Sequence, residues 1–280
     1  MAQLTTGKYW DTVCGRYQND AGNPASKWMK GLIKGALGDK VKLFSRNYAD
    51  FVLWERIYPA YLPVDRNADV LEIGSAPGNY LVRLHQTLGW NPHGVDYAEM
   101  GAAENKRVFQ AAGIDPQQVI LADAFGSEFQ GSHRGRFDVV FSRGVIEHFT
   151  DFTGLIEGHC GLLKPGGLAV ISIPNYRGLN YFMKLIFDPA SLRVHNTDIM
   201  RLQEFSKLFD SQGMEAKFCG YYGTTDFGMF GTPHRWLKPA YQLCDKVQVL
   251  LNGIYRICFR DRGPETRYTS PFLLYIGRKK

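Results

Sequence analysis

No uninterrupted apolar run in the 280 residues is longer than Phe272 to Ile276, far short of the ~20 residues that cross a bilayer. A membrane-spanning helix is therefore not expected. The start, Met1 to Trp10, carries one lysine and no apolar core with a small-residue cleavage site, so it does not read as an export signal. The five cysteines, Cys14, Cys160, Cys219, Cys244 and Cys258, are odd in number and form no CxxC pair. That fits neither a disulfide framework nor a zinc cluster, and they read as reduced thiols in cytoplasm. Internal repeats, low-complexity tracts and long blocks of one charge are also missing. The excess of 33 basic over 27 acidic residues, a net +6, permits an anionic partner without demanding one. What is present, 45% hydrophobic and 14% aromatic residues, is enough for a sizeable core and excludes a disordered or fibrous chain.

Residues 1–66 contain helix-like stretches, with breakers at Asn19 to Pro24 and again at Pro59 and Pro63, and are expected to form an N-terminal helical cap. Within them Phe44, Tyr48, Phe51, Trp54 and Tyr58 recur at steps of three and four, which predicts one apolar helical face used for packing. From Ala68 onward, short apolar runs alternate with helical segments, the pattern of βαβ units in a parallel sheet. Strands are expected at Asp69 to Ile73, His93 to Asp96, Val119 to Ala122, Phe137 to Ser142, Leu168 to Ile173, near Ala216 to Tyr221, and at Phe272 to Ile276. Helices are expected around Asn79 to Leu88, Met100 to Ala112, Gly154 to Leu163 and Thr197 to Gln212. Residues 67–280 thus read as one α/β domain. An insertion at 223–268 carries an amphipathic segment, Lys238 to Phe259, read first as a lid packed on the domain, with a membrane-surface contact as the alternative.

The first strand runs into Glu72-Ile73-Gly74-Ser75-Ala76-Pro77-Gly78, a small-residue turn at a helix start, where backbone amides can approach a ligand closely. Its spacing departs from the dinucleotide fingerprint G-x-G-x-x-G, which disfavours a nicotinamide dehydrogenase. Polar residues then fall at the ends of successive strands, where open parallel sheets bind ligands. Asp96 can accept both hydroxyls of a ribose. Asp123 can accept from an exocyclic amine, with Ala124 and Phe125 adding a backbone amide and an apolar wall. Together they describe a pocket for an adenosine without a phosphate chain; capping of the following helices is the alternative for both aspartates.

The ordered set Glu72-x-Gly74-x-Ala76-x-Gly78, Gly94-Val95-Asp96, Ala122-Asp123-Ala124, Phe137-Asp138-Val139-Val140 and Leu163-Lys164-Pro165-Gly166-Gly167 resembles the motifs of class I S-adenosylmethionine-dependent methyltransferases. One departure is Ala76, where the family usually has glycine. The resemblance implies a three-layer Rossmann-like sheet of seven strands, mostly parallel with an antiparallel last strand, and S-adenosylmethionine as cofactor, leaving as S-adenosylhomocysteine. It further implies that Gly74, Ser75, Ala76 and Gly78 face the methionine part and that Glu72 holds its amino group. Asp96 would take the ribose, Tyr97 would flank the adenine, Asp123, Ala124 and Phe125 would surround its edge, and Ser142 and Arg143 would lie beside the reacting methyl.

His148, in Ser142-Arg143-Gly144-Val145-Ile146-Glu147-His148-Phe149, is a candidate base for an acceptor hydroxyl, and His195 is a second. Asn175, Tyr176 and Tyr181 are candidates to line the acceptor pocket. In the quinone-biosynthesis O-methyltransferases that share the Glu-His pair, a glutamate three residues upstream helps bind a divalent metal; Gly144 stands there, so no metal is expected. Base methylation of nucleic acid is disfavoured because Ser142-Arg143-Gly144-Val145 replaces the (Asp/Asn)-Pro-Pro-aromatic motif that grips a flipped base. The expected function is cytoplasmic methyl transfer to a small molecule, first of all to a hydroxyl oxygen of a sugar, lipid-linked intermediate or natural product. N- or C-methylation, and a noncatalytic cofactor-binding module, are the alternatives. Peripheral membrane contact through 238–259 belongs to the same expectation.

Overall fold

A strand covered by helices on both faces must be apolar at nearly every position, and seven segments of the chain meet that demand or its one-sided variant. The computed structural model, which describes residues 3–11, 44, 47–63, 65–210, 212–230 and 235–280, forms them into β1 (Asp69–Ile73), β2 (Asn91–Asp96), β3 (Val119–Leu121), β4 (Phe137–Arg143), β5 (Leu163–Pro174), β6 (Met214–Tyr222) and β7 (Phe272–Lys279). The sheet order is β3-β2-β1-β4-β5-β7-β6. β7 is antiparallel to β5 and β6, and the remaining neighbours are parallel. This is the seven-stranded, mostly parallel architecture that the strand pattern predicts.

Period-two alternation then divides the core. Val70, Val139, Phe141 and Val170 meet Leu81, Trp90 and Phe109 on one face. Leu71, Ile73, Val140 and Ile171 meet Leu155, Ile156 and Phe205 on the other. The flanking helices are α1 (Tyr48–Val52), α2 (Tyr58–Tyr61), α3 (Asn79–Leu88), α4 (Glu99–Ala111), α5 (Ser127–His133), α6 (Thr153–Leu162), α7 (Leu179–Phe187), α8 (Pro189–Arg193), α9 (Leu202–Lys207) and α10 (Lys238–Phe259).

The aromatic stripe packs as its spacing requires. Tyr48, Trp54 and Tyr58 are buried in the core, with a π-helical turn, Leu53–Ile57, between α1 and α2. Arg83 stacks 3.9 Å from the Trp54 ring and pairs with Asp50 at 2.7 Å. The breaker at Asn19 to Pro24, most of the expected cap and Cys14 lie outside the described residues.

Two expectations change. The helix over Thr197 to Gln212 is a 3-10 turn, Asp198–Met200, an extended Arg201 and the short α9. Burial of Ile199 and Met200, whose sulfur accepts from the Tyr176 amide at 3.1 Å, stops the coil from continuing. Helices α5, α7 and α8 have no counterpart in the sequence reading.

The orientation of α7 and α10 is the other finding. The described buried residues of α10 are Gln248, Asn252 and Gly253. Gln248 accepts from the Phe227 amide at 3.0 Å and donates to Thr225 O at 3.1 Å, while Asn252 Oδ1 accepts from the Tyr48 amide at 3.2 Å. Its apolar residues Leu243, Leu250, Ile254 and Ile257 are instead 40–63% exposed. In α7 the buried residues are Asn180, Lys184 and Phe187, and Phe182, Leu185 and Ile186 are 51–61% exposed. The helices meet through the Phe187 and Tyr241 rings, 5.8 Å apart. Each docks through a mixed face, Asn180, Lys184 and Phe187 in α7 and Gln248, Asn252 and Tyr255 in α10, and turns several large apolar side chains outward. Among the described residues, no helix is long and apolar enough to cross a membrane.

Candidate active site

Strand order reverses between β1 and β4, which opens a crevice beyond their carboxyl ends. A cavity of about 970 Å³ lies there, at the upper end of the ~300–1,000 Å³ typical of small-molecule sites. After β1 it is bordered by Gly74, Ala76 and Pro77; after β2 by Asp96, Tyr97 and Ala98; after β3 by Asp123, Ala124 and Phe125; after β4 by Arg143, Gly144 and Val145. His148 and Phe149, in the segment that follows, border it as well.

Gly74 has φ +68°, and a Cβ there would come within 2.9 Å of Val145 Cγ2. The bare backbone is what leaves the turn open to a ligand. Asp96 is buried, with Oδ1 accepting from the Ala98 amide at 2.9 Å and Oδ2 from the Ala76 amide at 3.2 Å. Burial raises its pKa, and those amides oppose the rise. Asp123 Oδ1 accepts from the Phe125 amide at 2.9 Å. Both aspartates therefore brace the turns after their strands and border the cavity, and neither caps the following helix: the N-cap residues of α4 and α5 are Ala98 and Gly126, without a side-chain cap bond.

Four residues assigned to the cofactor stand behind this wall. Ser75 Oγ accepts from Asn105 Nδ2 at 2.5 Å, and Ser142 Oγ bonds His159 Nε2 at 2.9 Å. Gly78, with φ +96°, starts α3. Glu72 is buried, with Oε2 unpartnered. Burial pushes its pKa to about 8, against the opposing charge of Arg143. Arg143 in turn lies 3.8 Å from the Tyr80 ring centre.

His148 Nδ1 bonds Val194 O at 2.8 Å and His195 Nδ1 bonds Ser191 O at 2.6 Å. A carbonyl only accepts, so each Nδ1 carries the proton and each Nε2 keeps a lone pair. The rings are 4.3 Å apart. Burial lowers His148 to about 4; burial and then the His148 charge lower His195 to about 3. His148 borders the cavity, and His195 stands behind it against Tyr176. Asn175 is buried and donates to Ser270 O at 2.8 Å, whereas Tyr181 is exposed.

Gln3 and Trp10 also border the cavity, and sequence reading missed both. Leu4 N donates to His148 O at 2.7 Å, Gln3 Nε2 to Tyr97 Oη at 2.8 Å, and the Trp10 ring meets His148 edge-on at 4.9 Å. These contacts draw residues 3–11 across the mouth. No local pattern near Trp10 announces a partner so far along the chain. Val95, Val145 and Phe149, by contrast, adjoin predicted residues and were within reach.

These features suit a nucleoside cofactor. A carboxylate faces the β2 end, an acidic group and an apolar ring face the β3 end, and a side-chain-free turn faces the β1 end. Among solved structures, the geranyl diphosphate C-methyltransferase of Streptomyces coelicolor A3(2), in complex with Mg²⁺, geranyl diphosphate and S-adenosylhomocysteine, is 14% identical with TM-score 0.52, over 81% of this chain and 78% of that one. The phosphoethanolamine N-methyltransferase 2 of Haemonchus contortus, in complex with S-adenosylmethionine, is 16% identical with TM-score 0.54, over 89% and 59%. The [4+2]-cyclase SpnF is 12% identical with TM-score 0.52, over 82% and 80%. At such identities the likeness establishes the fold alone, and one fold hosts several chemistries. No curated protein matches the chain. Residues 46–217, more than half of the chain, match the methyltransferase domain family, and the chain accordingly belongs to that family as an S-adenosylmethionine-dependent methyltransferase.

Proposed function

We propose that this enzyme methylates a hydroxyl oxygen of a small, lipid-linked acceptor, taken up at a membrane surface. The supporting observation at the site is the pair of unprotonated Nε2 atoms, one on His148, which borders the cavity as Arg143 and Val145 do, and one on His195, whose ring lies 4.3 Å behind it. When bound, the cofactor supplies an electrophilic sulfonium methyl, which an acceptor oxygen takes as the carbon–sulfur bond breaks and its electron pair passes to sulfur. The chain's own task is then to align the oxygen, exclude water and remove the hydroxyl proton at the His148–His195 pair. In this reading Asp96 holds the ribose, Asp123 the adenine edge and the Gly74 turn the methionine part, while residues 3–11 cover the site. His148→Ala should lower turnover while leaving S-adenosylhomocysteine affinity within twofold; equal loss of both would make the histidine structural.

The lipid part of the proposal rests on the outward apolar faces of α7 and α10. Contiguous exposed apolar surface beyond a few hundred Å² is uncommon on soluble monomers and marks interaction sites. Seven basic against three acidic residues between 235 and 267 complement an anionic headgroup layer. Among the described residues, none from 223–268 borders the cavity, so this surface serves delivery of the acceptor and not the chemistry. The test is transfer of labelled methyl into lipid extracts and water-soluble pools, with mass spectrometry of the product. Label on an oxygen of an extractable lipid is expected. Label confined to water-soluble compounds, or placed on nitrogen or carbon, would overturn it.

A further inference from the structure

Glu147 has no task in the arrangement above, although it adjoins His148. It is 1% exposed, and both carboxylate oxygens lack a hydrogen-bond partner. Burying a carboxylate without a partner costs several kcal/mol, so such groups pair with cations or stay neutral. Its Oε1 points to the cavity wall, lying 3.5 Å from where a Cβ on Gly144 would stand. The Asn196 amide donates to Glu147 O at 2.7 Å, which pins the neighbouring His195 beside the pair. One ligand-capable atom on each of Glu147, His148 and His195 lies within 4.8 Å of the others.

We propose that Glu147, His148 and His195 bind one divalent first-row transition-metal ion, which receives the acceptor's oxygen beside the methyl-bearing end of the cavity. The inference rests on the oxygen-acceptor reading given above. Two imidazoles and a carboxylate match zinc, manganese, cobalt or ferrous ions; magnesium and calcium prefer all-oxygen shells. Each imidazole is already arranged as a ligand, because its Nδ1 proton is tied to a backbone carbonyl and its Nε2 is left to coordinate. That outer hydrogen bond is the usual support of a metal-bound histidine. Bonds of roughly 2.0–2.2 Å require the three atoms to draw closer than their present spread of up to 4.8 Å. Gly144 removes the glutamate seen in the related quinone-biosynthesis enzymes, and His195, from another segment, supplies the third ligand instead. The ion lowers the pKa of an oxygen bound to it. The acceptor hydroxyl thereby gives up its proton to solvent as it enters and binds the ion, before water is excluded and the oxygen takes the methyl; with the ion bound, the two imidazoles stay neutral ligands and the ion's acidifying effect replaces them as the means of deprotonation.

Chelator-stripped full-length protein should be titrated with Zn²⁺ and Co²⁺ by calorimetry, with the visible absorption of Co²⁺ followed in parallel. One ion per chain is expected, with cobalt bands of a nitrogen-containing site. Glu147→Gln and His195→Asn should each weaken binding by roughly 10- to 100-fold, while S-adenosylhomocysteine affinity stays within twofold as proof of folding. Absence of stoichiometric binding, or variants that bind like the parent, would overturn the site. Should a variant not fold, the cobalt spectrum of the parent decides, since bands of an all-oxygen shell would also overturn it. Failure of S-adenosylhomocysteine to bind stripped parent protein would instead count against the methyl-transfer reading and leave the ion titration to judge the site by itself.

Discussion

Asp96→Asn tests the cofactor assignment at its best-defined point. The carboxylate is buried and already accepts from two amides, at 2.9 Å from Ala98 and 3.2 Å from Ala76. Asparagine keeps one accepting oxygen, and its NH₂ group would face either an amide or a ribose hydroxyl. A hydrogen bond to a charged acceptor contributes roughly 1.5–3 kcal/mol, so S-adenosylhomocysteine should bind roughly 10- to 150-fold more weakly. Part of the effect will fall on the apoprotein, because the Ala76 or Ala98 amide loses its acceptor at a cost of about 1–3 kcal/mol. Thermal unfolding of the unliganded protein measures that part, and calorimetry well below the midpoint measures the rest. An unchanged affinity in a folded variant would refute the idea that this carboxylate holds the ribose.

Gly74→Ala places a side chain at φ +68° within 2.9 Å of Val145 Cγ2; it should cost about 1–3 kcal/mol of stability and narrow the cofactor turn, seen as a lower melting temperature with weaker calorimetric binding. Leu250→Asp with Ile254→Asp, both at exposed positions of α10, should abolish flotation with anionic vesicles while leaving the melting temperature unchanged; undiminished flotation would remove α10 from the membrane surface. His159 is buried, donates from Nδ1 to Leu155 O at 2.7 Å and accepts at Nε2 from Ser142 Oγ at 2.9 Å, and burial holds its pKa at about 4. The unfolded chain, near 6.5, takes up the proton first, so its contribution is complete above pH 6.5 and is lost as pH falls to 4, by up to about 3 kcal/mol. Denaturant unfolding of the parent and His159→Gln between pH 7 and 4.5 should give a shallower decline for the variant.

Elements whose apolar pattern matches their own length were legible from the residues. β1, α3 and α10 have the same bounds in the structure as in the sequence reading. Residues at strand ends, Asp96 and Asp123 above all, border the cavity because a parallel sheet carries the carboxyl ends of its strands to one rim. Less legible was anything set by a distant partner. The Thr197 to Gln212 segment has helical spacing, yet anchoring of Met200 divides it. Glu72, Ser75 and Ser142 sit within the predicted motifs but turn into the domain, a direction that depends on Arg143, Asn105 and His159.

The amino-acid pattern alone determined the strand count, the parallel sheet and the rim on which a ligand sits, since burial on both faces and small-residue turns are local demands. Tertiary structure decided which side of α7 and α10 faces solvent, how residues 3–11 cross the cavity, and that His195 stands beside Glu147 and His148. Each of these is a contact between segments far apart in the chain. Periodicity specifies that a helix has two unlike faces, and only the partners available in the folded molecule select which face is buried.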